Sequence, residues 1–241
     1  MYWMQRAKSN PETSLNSSSR SDAVATRARI VSAAEHLFAK RGIDATTLAD
    51  INKAANQRNR SAVQYHFENK QGVIHAILDK HTPGIELRRH AMLDKIESAN
   101  LSNVRAFAEA LVLPVAEKLD DRDGGLAFLR ISAQLIGHPN FSLLSIHTER
   151  MNRGTDRLAR LIAANAPEWP KALWAPRWLL LIGLLFHGMA DYAHLVQSSH
   201  PATRPPPRDL FVNNLIDSVI ALLEAPISPQ TARQIPTGDK T

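Results

Sequence analysis

Apolar residues along this chain return every three to four positions and almost nowhere at every second one. Ile30, Ala34, Leu37 and Phe38 fall on one side of a helix predicted over residues 22–41, with Asp22 as its N-cap and Gly42 as its left-handed stop. Thr46 or Thr47 caps a short second helix whose Leu48, Ile51 and Ala55 form a single buried stripe. Asn56-Gln57-Arg58 breaks it. A third short helix follows from Asn59, with Val63 and Phe67 four apart and turned to the same core. Asn69 caps a fourth, in which Val73, Ile74, Ile77 and Leu78 face inward.

Thr82-Pro83 has the form of an N-cap followed by proline at the first helical position, which predicts a new helix to about residue 99. Residues 102–119 continue the series, kinked where Pro114 withholds its amide donor, and a loop follows over 120–125. Further helices are expected over 126–136, 141–164, 175–197 and 208–224, the last after the stiff run Pro205-Pro206-Pro207. Alternating β-branched runs and tight hairpin turns are missing, so the fold class is all-α. The serine-rich residues 1–21 read as a flexible arm and 225–241 as a disordered tail. Between them lie a small helical unit at 22–72 and a larger one at 73–224.

Composition narrows the chemistry. A chain of 241 residues has room for one or two domains, and the absence of cysteine excludes disulfides, thiolate metal sites and a cysteine nucleophile. The net charge of +6 is uneven: residues 1–72 hold 11 Lys or Arg against 6 Asp or Glu, while the remainder is nearly balanced. Such a basic third suits a partner rich in phosphate, and equally a plain solvated surface. The N-terminus lacks the apolar run of a secretory signal, and the apolar stretch 178–190 falls short of the roughly 20 residues that cross a bilayer. A cytoplasmic protein without membrane contact is expected.

The sequence holds no glycine-rich phosphate loop, no His-Glu-x-x-His and no Gly-x-Ser-x-Gly, so no enzyme, no metal and no cofactor is expected. His187, Asp191 and His194 follow at i, i+4 and i+7. That pattern fits a metal or a polar effector, and equally hydrogen bonding across a helical seam. Two short helices joined by a tight turn after a longer one have the dimensions of a helix-turn-helix, whose second short helix fits a major groove about 12 Å wide. Three-helix bundles that touch no DNA share this spacing.

The stretch Gly42-Ile43-Asp44-Ala45-Thr46-Thr47-Leu48-Ala49-Asp50-Ile51, then Ala54-Ala55, then Tyr65-His66-Phe67-Glu68-Asn69-Lys70, resembles the N-terminal signature of the TetR family of bacterial regulators. The resemblance covers about residues 24–78. It implies a recognition helix over 60–66, with Arg60, Ser61 and Gln64 at base edges, where Arg pairs with guanine and Gln with adenine through two hydrogen bonds each. It further implies that Tyr65 and Lys70 hold phosphates, as does Thr47 at a helix N-terminus. This chain departs from the pattern in its turn, Ala55-Asn56-Gln57-Arg58-Asn59, which is one residue longer and has Asn where the family has glycine. Asn tolerates the left-handed conformation, so the turn can still close. Ala62 replaces a phosphate-binding Thr and Gln64 a Tyr; Arg58 is the candidate to compensate. The plainer readings are solvated charges for Arg58 and Arg60, an exposed helix position for Gln64, and a core-capping aromatic for Tyr65.

For the rest of the chain the resemblance implies a helical ligand-binding and dimerisation domain. Its last two long helices would form an isologous four-helix seam through Trp178, Leu181, Leu185, Phe211, Leu215, Val219 and Leu222. Its middle helices would enclose a pocket lined by Phe107, Leu111, Phe128, Met151 and Trp174, residues that read equally as simple core. The function so implied is that of a homodimeric, nucleoid-associated regulator of transcription: a repressor released from a near-palindromic DNA operator by an unidentified small-molecule effector. The alternative is a helical homodimeric adaptor without specific DNA readout.

Overall fold

The computed structural model describes residues 11–59, 61–101, 103–141, 153–165, 169–198 and 204–236. Every regular element among them is helical. They are α1 (Pro11–Arg41), α2 (Leu48–Ala54), α3 (Ala62–Phe67), α4 (Lys70–Ser98), α5 (Val104–Ala116) with a 3-10 turn at Glu117–Leu119, α6 (Gly125–Leu135), α7 (Arg153–Asn165), α8 (Lys171–Gln197), α9 (Arg208–Glu224) and α10 (Pro229–Gln234).

Four boundaries differ from the sequence reading. Helix α1 runs on N-terminally past Asp22 to Pro11, because no glycine or proline interrupts 12–41 and proline suits a first helical position. Helix α4 passes straight through Pro83, so Thr82-Pro83 starts nothing new. Buried Ile77, Leu78 and His81 before the proline, and Ile85 and Arg89 after it, anchor the helix on both sides, while Pro83 itself is exposed. Helix α3 begins at Ala62 rather than at residue 60, and Arg60 lies outside the described residues. The expected C-terminal tail forms α10, whose following Ile235 is buried; Arg177 donates to the Ala225 carbonyl at 2.7 Å. Of the helix expected at 141–164, the part containing Met151 lies outside the described residues.

One continuous apolar core runs through the protein. Ile30, Phe38, Ile51, Val63, Ile74 and Ile77 bind the first three helices to the start of α4, and Leu93, Leu111, Leu129, Ile131 and Leu135 continue it between α4, α5 and α6. Phe107, Leu111 and Phe128, the expected pocket residues, are packed into this core, with the Phe128 ring 4.7 Å from that of His81; Trp174 is half-buried beside Trp169.

Polar side chains tie the N-terminal head to the body. Gln134 of α6 accepts from the Ile43 amide at 2.9 Å and donates to the Phe38 carbonyl at 3.0 Å, which serves two backbone groups at the end of α1. Glu35 of α1, 3 % exposed, meets His81 Nε2 at 2.8 Å and Lys80 Nζ at 2.9 Å on α4. Arg89, also buried, donates to the Ala110 carbonyl of α5, to Thr155 of α7 and to Glu86.

Helix α8 is 27 residues long, and among the described residues it alone is long and apolar enough to cross a membrane. It exceeds the stretch expected at 178–190. The reason lies in its packing: Leu181, Ile182, Leu185, Phe186 and Met189 enter the core, while Leu179 and Leu180 stay exposed on the other side. Leu181, Leu185, Leu215 and Val219, expected on the surface of a seam, are instead core residues. Of the expected seam, Trp178, Phe211 and Leu222 remain half-buried.

Candidate nucleic-acid interface

Helix α2 starts at Thr47 in a complete capping box. The Thr47 hydroxyl accepts from the Asp50 amide at 3.1 Å, and the Thr47 amide and hydroxyl both donate to Asp50 Oδ2, at 3.0 and 2.6 Å. These bonds, the side-chain hydrogen bond from Thr47 first among them, hold the Asp50 carboxyl below its ordinary value, so it is charged at neutral pH. A phosphate approaching Thr47 would have to compete with that carboxylate for the same hydroxyl.

The turn closes as its composition requires. Asn56, in the glycine's place, adopts a left-handed φ of 51°, and the Gln57 amide donates back to the Asn52 carbonyl at 3.0 Å. Asn59 folds the chain into α3 by accepting from the Ser61 amide at 2.9 Å. Ala62, Val63 and Phe67 then point into the core, which leaves Ser61, Gln64 and Tyr65 on the outside. Tyr65 is 82 % exposed with its ring edge-on to His66, which overturns the core-capping reading of this aromatic. Arg58 is exposed on the same turn.

Lys70 has a partner inside the domain: its ammonium donates to the Ile43 carbonyl at 2.9 Å and the Asp44 carbonyl at 3.4 Å, tying the start of α4 to the loop after α1. Two further residues escaped the sequence reading. Asn52, buried on α2, accepts from the Val63 amide at 3.1 Å and so fixes α3 against α2. Its signal was a polar residue at i+4 from Leu48, on the apolar stripe. Arg27 donates to the His66 carbonyl at 3.0 Å and lies 4.4 Å over the Phe67 ring. Asn52→Ala is expected to lower stability by about 1–2 kcal/mol, within the usual cost of an unpaired buried donor, as measured by urea unfolding.

His187, Asp191 and His194 are not brought together as a metal-binding group; none occurs among the described residues.

A short helix with a buried back and a polar front, clamped to a capped helix through a tight turn in the basic third, defines a helix-turn-helix protein. Residues 30–77 match the family profile "Bacterial regulatory proteins, tetR family" and residues 109–221 match "Tetracyclin repressor-like, C-terminal domain". The chain belongs to the TetR family of transcriptional regulators, with an N-terminal DNA-binding helix-turn-helix domain and a C-terminal helical domain. The HTH-type transcriptional regulator TtgR of Pseudomonas putida is 47 % identical over 60 residues, which are 25 % of this chain and 28 % of TtgR. The match thus spans just over a quarter of that relative's length. Among solved structures, a TetR-family protein from Rhodococcus sp. covers 82 % of this chain and 98 % of its own at 14 % identity and a TM-score of 0.47. A TetR-family regulator from Pectobacterium atrosepticum covers 85 % and 95 % at 19 % identity and a TM-score of 0.41.

Proposed function

We propose that this protein is a homodimeric, sequence-specific repressor that leaves a near-palindromic operator when a small effector enters its helical domain. The observation that carries the reading is the front of α3: Ser61, Gln64 and Tyr65 are exposed together while Ala62, Val63 and Phe67 hold the helix from behind. Gln64 and Ser61 read base edges, and Arg60 is assigned the same role from the family resemblance. Arg58 and Tyr65 hold phosphates, and Lys70 contributes through the remaining hydrogen of an ammonium already bonded to two carbonyls. Thr47 acts as a helix cap first. The protein works in the cytoplasm, on the nucleoid.

Dimerisation runs through the outer faces of α8 and α9, where Leu179, Leu180 and Leu210 are 47, 60 and 61 % exposed. A twofold pair of recognition helices reads half-sites about 34–36 Å apart. The Leu180→Glu/Leu210→Glu double variant is expected to sediment as a monomer and to lose most operator affinity. A dimer that survives it in analytical ultracentrifugation places the seam elsewhere. An effector lodged among Phe107, Leu111 and Phe128 would have to displace packed side chains, so the route to release is a shift of α4 relative to α1 that changes the distance between the two heads.

The test is to incubate the purified chain with sheared genomic DNA, sequence the bound fragments, and repeat with Gln64→Ala and Arg60→Ala. A shared near-palindrome whose preference each substitution relaxes, at about 1–3 kcal/mol per base contact, supports the reading. Salt-sensitive binding without sequence preference would instead favour the adaptor.

A further inference from the structure

Helix α1 runs out past the core of the head. Over residues 21–30 only Ile30 is buried and only Thr26 is half-buried. Arg27 lies on the turn where the helix passes the edge of that core, and its side chain crosses to α3. Nη1 donates to the His66 carbonyl at 3.0 Å, and the guanidinium carbon stands 4.4 Å over the Phe67 ring. The bond serves a backbone group that α3, ending at Phe67, leaves open. In the last turn of that helix the Gln64 carbonyl accepts from the Glu68 amide and the Phe67 carbonyl from the Asn69 amide, while the His66 carbonyl accepts from Arg27.

This mode of anchoring leaves the charge of Arg27 unspent. Arg88, Arg105 and Arg157 each pair with a carboxylate. Arg27 is held instead by a neutral carbonyl and an aromatic face, and among the described residues no carboxylate pairs with it. Only one of its five guanidinium hydrogens is bonded, and the residue is exposed. The carbonyl that anchors it belongs to the neighbour of Tyr65, whose ring stands edge-on to His66 with centroids 5.1 Å apart. A full positive charge is thus fixed by two contacts at the end of the helix whose exposed front carries Ser61, Gln64 and Tyr65. A free surface arginine gives up rotamer freedom when it binds; this one has given it up on folding.

We propose that Arg27 acts in two directions at once: it positions the C-terminal end of the recognition helix, and it binds a DNA backbone phosphate beside Tyr65. The proposal rests on the reading of α3 as the helix that enters the groove. A planar fork that is always charged suits a phosphate, and its remaining hydrogens can reach one while Nη1 stays on the His66 carbonyl. Phosphate contact and the orientation of Gln64 are then gained together, through one side chain that belongs to neither helix of the helix-turn-helix.

The test uses the full chain, the recovered operator and a scrambled duplex of the same length, with affinity titrated from about 50 to about 200 mM salt. Arg27→Gln removes the charge. Losing one phosphate contact per protomer lowers the slope of log affinity against log salt by about 1.8 in a dimer. The fourfold rise in salt is therefore expected to cost this variant about twelvefold less affinity than it costs the wild type, on both duplexes. Arg27→Lys returns the charge without the fork that spans carbonyl and ring. It is expected to recover the slope on the scrambled duplex, while its preference for operator over scrambled DNA stays roughly fivefold or more below that of the wild type. Urea unfolding verifies that both variants are folded. An Arg27→Gln slope equal to the wild type's overturns the phosphate contact. An operator preference in Arg27→Lys equal to the wild type's overturns the positioning role. Failure to recover any operator counts against the repressor reading, and the slope on the scrambled duplex then still decides the phosphate contact.

Discussion

Gly72→Ala is expected to cost about 3 kcal/mol of stability, the upper part of the range for an overpacked site, and to abolish operator binding. Gly84→Ala, twelve positions further along the same helix, is expected to add about 0.5–1 kcal/mol. Both glycines are in α4, where alanine is intrinsically the better residue, so local propensity predicts a gain at each. What separates them is the surroundings. A Cβ on Gly84 meets nothing within 4 Å. A Cβ on Gly72 would overlap the carbonyl oxygen of Phe67 and lie 3.0 Å from its carbonyl carbon, and those are backbone atoms that cannot swing aside as a side chain would. The crowding is built into the junction. Glu68 turns the chain with a φ of 64°, the Phe67 carbonyl accepts from the Asn69 amide at 2.6 Å, and Asn69 then caps α4 by accepting from Gly72 itself at 2.9 Å. Moving Phe67 away displaces the end of α3 and, through it, the face that carries Gln64 and Tyr65. Urea unfolding and operator titration on both variants measure this. Equal changes in the two, of either sign, would mean that the α3–α4 junction is looser than its geometry says.

The same contrast marks what could be read before any coordinates. Periodicity placed the stripes of α2, α3 and the first turns of α4 correctly because each is a short amphipathic element whose inner residues have no alternative to burial. Gly42 and Asn69 were legible because helix ends leave orphan backbone groups that few residue types satisfy. The Asn56 turn was legible for the same kind of reason, since left-handed backbone narrows the choice of residue. Pro83 was not, because the rule that proline ends a helix is local, and a 29-residue helix held by buried residues on either side of it follows the packing instead. The apolar face of α8 misled in the opposite sense. A helix apolar all round offers no pattern to say which side meets the body and which a partner, and four of the seven residues expected at the seam turned out to be core. The polar clamps were the least visible. Gln134 and Glu35 act on groups 91 and 46 residues away, and no window of sequence contains both ends of such a bond; Asn52 reaches only 11 residues, across a turn, and showed itself solely as a polar residue on an apolar stripe.

Glu35 carries the second large effect: Glu35→Ala is expected to cost about 3–5 kcal/mol, the usual penalty for removing one partner of a buried ionic cluster. Among the described residues its carboxylate is the acceptor that meets His81 Nε2, and His81 is 1 % exposed and has on its other side Asp121 at 3.7 Å from Nδ1. Lys80 bonds Glu35 and Asp123 together, so the cluster joins α1, α4 and the loop before α6. Gly124 shows how closely the loop is fitted: at a φ of +89°, an added Cβ would press into the Glu35 carboxylate. Glu35→Gln keeps one acceptor and the shape, and is expected to cost less than half as much. Burial pulls the Lys80 ammonium down, but the bonds from Asp123 and Glu35 outweigh it and leave its pKa above the ordinary value. A raised pKa in the folded state means that this contribution is complete below the ordinary lysine range of about 10.4 and is lost as pH rises through the higher folded value. The stability of the wild type measured by urea unfolding should therefore fall in that alkaline window, and Lys80→Met should flatten the dependence there. A Glu35→Ala protein as stable as Glu35→Gln would show that the junction between head and body is held by its apolar contacts alone, and that the buried polar cluster merely occupies space between them.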